Sequence, residues 1–213
     1  MSENADARVE MAVNKALTEY MEKLQSGALR IESEASFQHH LALLIINYLS
    51  NDIYLEKKYK LNKHNNYVDI VIEYKKREYL IELKLKKARQ KAEPQNVIEC
   101  FKDIYNLEQL ANRKFEGKEI KFCYFIFLTD HKLYTEKPSN EKDIRNSFPM
   151  WDKETETIKA NQLYNDSRET AKKSLKKYPR SFKFKHSYDI NYYKITTHKN
   201  KNLWFFKLKI PPK

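Results

Sequence analysis

Tyr67-Val-Asp-Ile-Val-Ile-Glu-Tyr74 and Tyr79-Leu-Ile-Glu-Leu-Lys-Leu85, joined by the polar Lys75-Lys-Arg-Glu78, are the stretches that decide the fold. Both have strand composition and both alternate, which predicts an antiparallel hairpin. A connection centred on Lys76 and Arg77 sets Val68 opposite Leu85, Ile70 opposite Leu83 and Ile72 opposite Ile81, three apolar pairs on one face. The same register sets Asp69 opposite Lys84 and Val71 opposite Glu82, and gathers Asp69, Glu82 and Lys84 on the other face. A one-residue slip would bury the charges. Two carboxylates beside an ammonium form a grouping able to hold Mg²⁺ and a water.

Residues 5 to 25 carry Val9, Ala12, Val13, Ala16, Leu17, Tyr20, Met21 and Leu24 at helical spacing, and Gly27 ends the pattern. A second helix is predicted from the N-cap Ser33 through Phe37, Leu41, Leu44, Ile45 and Tyr48 to about Leu49. Tyr54 to Leu61 reads as a strand, with Asn62 to Asn66 turning into the Asp69 strand, so the hairpin becomes a three-stranded antiparallel meander. Pro94 opens a helix carrying Val97, Ile98, Phe101, Ile104, Leu107 and Leu110. Ile120 to Leu128 is apolar on both faces, as a central strand is, and helix followed by buried strand implies a crossover. Residues of about 130 to 180 read as an insertion or basic arm. Phe182 to Ile195 and Leu203 to Ile210 are expected as two closing strands.

The 213 residues, with 41% hydrophobic content, are enough for one domain with a substantial core. A formal charge of +12 favours a polyanionic partner, nucleic acid first, although genome-biased Lys and Asn usage gives the same composition. No apolar run is long enough to span a bilayer and no hydrophobic signal follows Met1, so a soluble, cytoplasmic protein is expected. Cys100 and Cys123 lack any paired spacing and are expected as buried thiols. With two Gly in the chain there is no glycine-rich phosphate loop. His39 and His40 are adjacent on a helix, about 100° apart, and read as surface or packing residues.

The order helix, meander with Asp69 and Glu82-Leu83-Lys84, helix, buried strand resembles the PD-(D/E)xK nuclease superfamily over roughly residues 30 to 130. Val68 stands where the name-giving proline would be. The resemblance implies an α/β fold, a restriction-endonuclease-like mixed central sheet with an antiparallel meander flanked by helices. It implies a Mg²⁺-dependent (or Mn²⁺-dependent) endonuclease of restriction or defence type that acts on DNA phosphodiesters as a homodimer or paired subunits. The alternatives are a structure-selective repair or RNA nuclease, and a non-catalytic nucleic-acid-binding module. Asp69, Glu82 and the Leu83 carbonyl would hold the ion, Lys84 the attacking water, and both carboxylates would be ionised at neutral pH.

The preceding helix adds Glu34 and Gln38, four apart on one face, with Glu34 reaching the ion directly or through water. Glu32 competes for that role, and Glu34 in the first turn also suits the helix dipole. Gln95, after Pro94, is either a further polar site residue or an ordinary first-turn glutamine. Lys172, Lys173, Lys176, Lys177 and Arg180 are either a phosphate-tracking arm or a solvated helix face.

Overall fold

In the computed structural model, residues 4–61, 64–88, 94–111, 113–141, 143–150, 157–165 and 181–212 are described. Helix α1 (Ala5–Ser26) starts at Asn4, whose side chain accepts from the Asp6 N–H, and buries the eight residues that its periodicity picks out. Gly27 ends it in the left-handed region at φ 80°, and its N–H donates to the Leu24 carbonyl. Helix α2 (Glu34–Tyr48) begins at the Ser33 cap, which forms a reciprocal box with Ser36. Such a cap is worth about 1 kcal/mol.

Strands β1 (Asp52–Leu61), β2 (His64–Tyr74) and β3 (Arg77–Lys86) form the expected meander. The hairpin register differs from the expectation. Ile70 pairs with Ile81 and Ile72 with Tyr79, so the turn is centred on Lys75 and Lys76, one residue earlier than Lys84 opposite Asp69 requires. Both lysines have positive φ, 50° and 62°, the conformation of a two-residue primed turn that Gly or Asn usually fills. A shift of two in the register sum leaves each side chain on its face, so the grouping of Asp69, Glu82 and Lys84 survives it. The pairing of Val68 with Leu85 does not. These residues lie in different cores, because the alternation of β2 breaks at Asp69.

Helix α3 (Pro94–Leu110) crosses over to β5 (Lys118–Thr129), which runs parallel to β3, with β4 (Lys114–Phe115) beside its start. Two small ribbons pair β6 (Thr157–Ile158) with β9 (Tyr188–Asp189), and β7 (Leu163–Asn165) with β8 (Ser181–Lys183). Strands β10 (Tyr193–Thr196) and β11 (Asn202–Ile210) complete a main sheet of order β1-β2-β3-β5-β11-β10. The sheet is mixed, mostly antiparallel, and is not a closed barrel. Helices α1 and α2 cover one face over Ile70, Ile81, Leu83 and Ile126, and α3 covers the other over Val71, Leu80, Phe125 and Phe127.

Phe182 to Ile195 is not one strand but three short ones. The Glu108 carboxylate on α3 accepts from the Lys185 and His186 N–H groups and from the Tyr188 hydroxyl, which bends the chain around the helix. Tyr134, Phe148, Met150, Ile158 and Tyr164 are buried in the α3-side core, with Phe148 and Tyr164 against Phe101. These side chains anchor the described part of residues 130 to 165 to the core. Lys172, Lys173, Lys176, Lys177 and Arg180 lie outside the described residues. Cys100 and Cys123 are buried free thiols, and among the described residues no helix is long and apolar enough to cross a membrane.

Candidate active site

Asp69 sits where two ladders open. On one side the β1–β2 pairing skips the position between Leu55–Ile70 and Lys57–Val68, where Glu56 has a strained φ of 55°. On the other, the pairing of β2 with β3 stops at Ile70–Ile81, leaving the edge of β3 beyond Ile81 without a backbone partner from β2. Side chains take over those lost bonds. The Leu83 N–H donates to Asp69 Oδ2 at 2.7 Å and the Leu85 N–H to Glu34 Oε2 at 2.9 Å. The freed Asp69 carbonyl accepts from Gln38 Nε2 at 2.6 Å, and the same amide lies 3.4 Å from Glu56 Oε1. Gln38 is buried, so its amide fixes the Asp69 backbone. A residue's N–H and C=O project to the same edge of a strand, so the Leu83 carbonyl also faces the opening beside Asp69.

Glu34, Gln38, Asp69, Glu82 and Lys84 thus come together, from α2 on one side and the hairpin on the other. One member of the group was not legible in the sequence. Asp103 on α3 places Oδ2 3.0 Å from Lys84 Nζ, with Glu34 Oε1 at 3.7 Å from the same ammonium. Asp103 lies three residues after buried Cys100 and four before buried Leu107, at the margin of the apolar stripe of α3. That spacing is the only sequence signal that it points inward. Among the described residues neither Glu82 oxygen accepts a hydrogen bond. A cavity of about 240 Å³, lined by Glu82, Asp103, Asn66 and Asn106, adjoins them. The Gln95 side chain lies outside the described residues.

Four carboxylates around one ammonium leave a surplus of negative charge. Burial pushes the Asp69 carboxyl up to about 7, with Glu34 and Asp103 adding repulsion against the help of the Leu83 N–H and Lys84. Burial also raises Glu82 well above the usual range, reinforced by Asp103 and Asp69. Asp103 is raised by burial too, with Lys84 opposing. Burial alone would lower the Lys84 ammonium, but Asp103, Glu34 and Glu82 outweigh it and hold the group firmly charged. Without a further cation, burial and mutual repulsion work against the expectation that both Asp69 and Glu82 are ionised at neutral pH: the Asp69 carboxyl stands at about 7 and that of Glu82 is raised well above its usual range.

The donor chemistry fits a hard divalent cation, since oxygen ligands with excess negative charge are what such an ion takes. Among the described residues no three His, Cys, Asp or Glu side chains already stand as a ligand cluster. A cation held between β2 and β3 would find oxygen donors in Asp69, Glu82 and the Leu83 carbonyl, with waters filling the rest of its shell.

The pH dependence of stability follows from Asp69. Its carboxyl holds a proton to about pH 7 when folded and to about 3.8 when unfolded, so the folded state binds more protons between those values. Metal-free stability therefore falls as pH rises from about 4 to 7. Asp69→Asn keeps an oxygen for the Leu83 N–H and removes the charge. In chelator at pH 8 it is expected to be more stable than the parent by roughly 1–3 kcal/mol, with a flatter profile between pH 5 and 8. Denaturant titrations at both pH values measure this, and a variant less stable than the parent at pH 8 contradicts it.

No protein-family model, no curated protein and no solved structure matches the chain.

Proposed function

We propose that this protein is a Mg²⁺-dependent endonuclease that hydrolyses DNA phosphodiester bonds, of restriction or defence type, in the manner of the PD-(D/E)xK superfamily. The observation that carries the proposal is the meeting of Asp69, Glu82 and Lys84 where the β2–β3 ladder opens, with more acid than the local cation balances. A purely structural role accounts for Asp69 and Glu34, which cap the N–H groups of Leu83 and Leu85. It leaves Glu82 without a purpose, because among the described residues it caps no backbone group and forms no ion pair, and its burial costs desolvation.

Asp69, Glu82 and the Leu83 carbonyl would hold the cation. When bound, the ion supplies Lewis-acid polarisation of the phosphate and offsets negative charge developing on its oxygens. Gln38 keeps Asp69 in place through its carbonyl. Lys84 donates to the attacking water and favours its hydroxide form, and the ammonium stays charged through the working pH range because of its acidic neighbours. Asp103 is a positioning residue that holds the ammonium from the α3 side. Glu34, at 3.7 Å, is the looser partner and the one an incoming phosphate would displace first. Cutting both strands of a duplex calls for two such centres, hence a homodimer or paired subunits.

The test is the full chain incubated with duplex, branched and single-stranded DNA and with RNA, in Mg²⁺ and in chelator. Chelator-sensitive internal cleavage of DNA is expected. Cleavage confined to branched DNA or to RNA would transfer the site to a repair or RNA-processing nuclease, and salt-sensitive binding without products would mark a non-catalytic module.

A further inference from the structure

We infer that a second cleft, at the end of β3 beyond the acidic centre, seats one unpaired nucleotide of a DNA strand; this deepens the proposed nuclease reading and rests on it. The cleft has a volume of about 500 Å³, within the range that holds a small organic group. Its floor is apolar, from Leu24, Leu85 and Leu203, and its rim is basic, from Arg30, Lys87, Lys199 and Lys201. Asp130 is the one acid in the lining, and its Oδ1 is taken by the Ala88 N–H. Lys87 ties the α1–α2 connection to the sheet by donating to the Ile31 and Glu32 carbonyls. Arg30, Lys199 and Lys201 are exposed and form no ion pair among the described residues.

The rim is built rather than incidental. Lys199 and Lys201 stand on the β10–β11 turn, which closes on itself through the Thr197 N–H to the Lys201 carbonyl at 2.8 Å and the Asn200 N–H to the Thr197 carbonyl at 2.9 Å. That turn lies against the end of α1 at Gly27, where a Cβ would come within 2.3 Å of the His198 ring. A side chain at this position would have to displace the His198 ring, so Gly27, already favoured there by its φ of 80°, lets the ring sit against the end of α1.

An apolar floor with cations above it matches a base with its phosphates. A cleft of about 500 Å³ takes a single base rather than a base pair, so the occupant is a base free of its partner, from a single strand or turned out of the duplex that the proposed endonuclease would cut. Leu85 belongs to both places, since its N–H is capped by Glu34 and its side chain lines the cleft. The Leu85 side chain faces the α1–α2 core and the Lys84 ammonium meets Asp103 on the α3 side, so the cleft and the acidic centre lie on opposite faces at the same end of β3. A strand seated in the cleft would reach the acidic centre around the open edge of β3.

The test is fluorescence anisotropy in chelator, using the full chain with a labelled single-stranded oligodeoxynucleotide, its blunt duplex, and an abasic strand of equal length. The parent is expected to bind the single strand about tenfold more tightly than either the duplex or the abasic strand. Lys199→Ala/Lys201→Ala, on an exposed turn, is expected to lose about tenfold in single-strand affinity and to show a shallower salt dependence, with duplex binding little changed. Equal parent affinity for single strand and duplex, equal affinity for the abasic strand, or a double variant that binds the single strand as the parent does would each overturn the assignment. Failure of the catalytic reading is distinguishable: it would show as absent cleavage in Mg²⁺ with cleft-dependent binding intact, whereas chelator-sensitive cleavage with unaltered binding by the double variant rejects the cleft alone.

Discussion

Lys84→Met/Asp103→Asn is expected to lower DNA cleavage by roughly 10²–10⁴-fold while the protein stays folded. The double substitution is chosen because Lys84 is only 15% exposed and stands 3.0 Å from Asp103. Removing the ammonium alone would strand a buried carboxylate among three others, and breaking one side of such a pair is strongly destabilising. Lys84→Ala by itself would therefore confuse lost chemistry with lost structure, contrary to what an exposed polar sheet face would suggest. Neutralising both partners removes the ammonium that, in the proposed mechanism, would donate to the attacking water, and leaves a neutral amide where the acid stood. Asp103→Asn alone keeps the Lys84 charge and should retain more activity than the double variant. Single-turnover cleavage at saturating protein, with a thermal melt of each variant, separates the two effects. A folded double variant that cleaves at the parental rate would remove Lys84 from the chemistry.

The second large effect lies outside the site. Glu78→Ala is expected to cost roughly 3–5 kcal/mol of stability, the range for stripping one partner from a buried ion pair. Glu78 is fully buried, and its two oxygens separately receive the Lys57 ammonium at 2.5 Å and the Tyr59 hydroxyl at 2.8 Å. Alanine leaves the ammonium without its counter-charge and the hydroxyl without its acceptor, on the α3 side of the meander that carries Asp69. For a chain of this length the loss corresponds to a fall in Tm of about 10 °C. Glu78→Gln keeps an acceptor for Tyr59 and should cost less. A Glu78→Ala protein within about 1 kcal/mol of the parent in denaturant titration would mean that water replaces the carboxylate, and that this network does not brace the sheet.

Sequence periodicity carried the helices because their apolar stripes and caps are local. The eight residues buried on α1 and the Ser33 cap of α2 depend on neighbours three or four positions away. The faces of the hairpin were legible for a similar reason, since alternation has a period of two and survives a register error of two. The register itself was not. It hangs on Lys75 and Lys76 adopting positive φ, which nothing about lysine announces. Nor did the residues around Asp69 disclose that both ladders open there, because the substitutes for the missing backbone bonds, Gln38 and Glu34, come from a helix more than thirty positions upstream. Asp103 was hidden by its place on an amphipathic helix, where an acid reads as solvated until the crossover lays that face over the hairpin. The breaks in Phe182 to Ile195 depend on Glu108, about eighty residues earlier. Apart from the local turn at Lys75 and Lys76, the missing information was long-range polar contact, whereas the apolar pattern was legible position by position.

Metal-dependent catalysis at Asp69 stands or falls on cleavage of plasmid DNA in Mg²⁺ by the parent and by Asp69→Asn, each with and without chelator. Linear or nicked product is expected from the parent in Mg²⁺ alone, and none from Asp69→Asn even though that variant is folded and more stable at pH 8. Cleavage that persists in chelator, or that Asp69→Asn performs as well as the parent, would contradict a metal-holding carboxylate at this position.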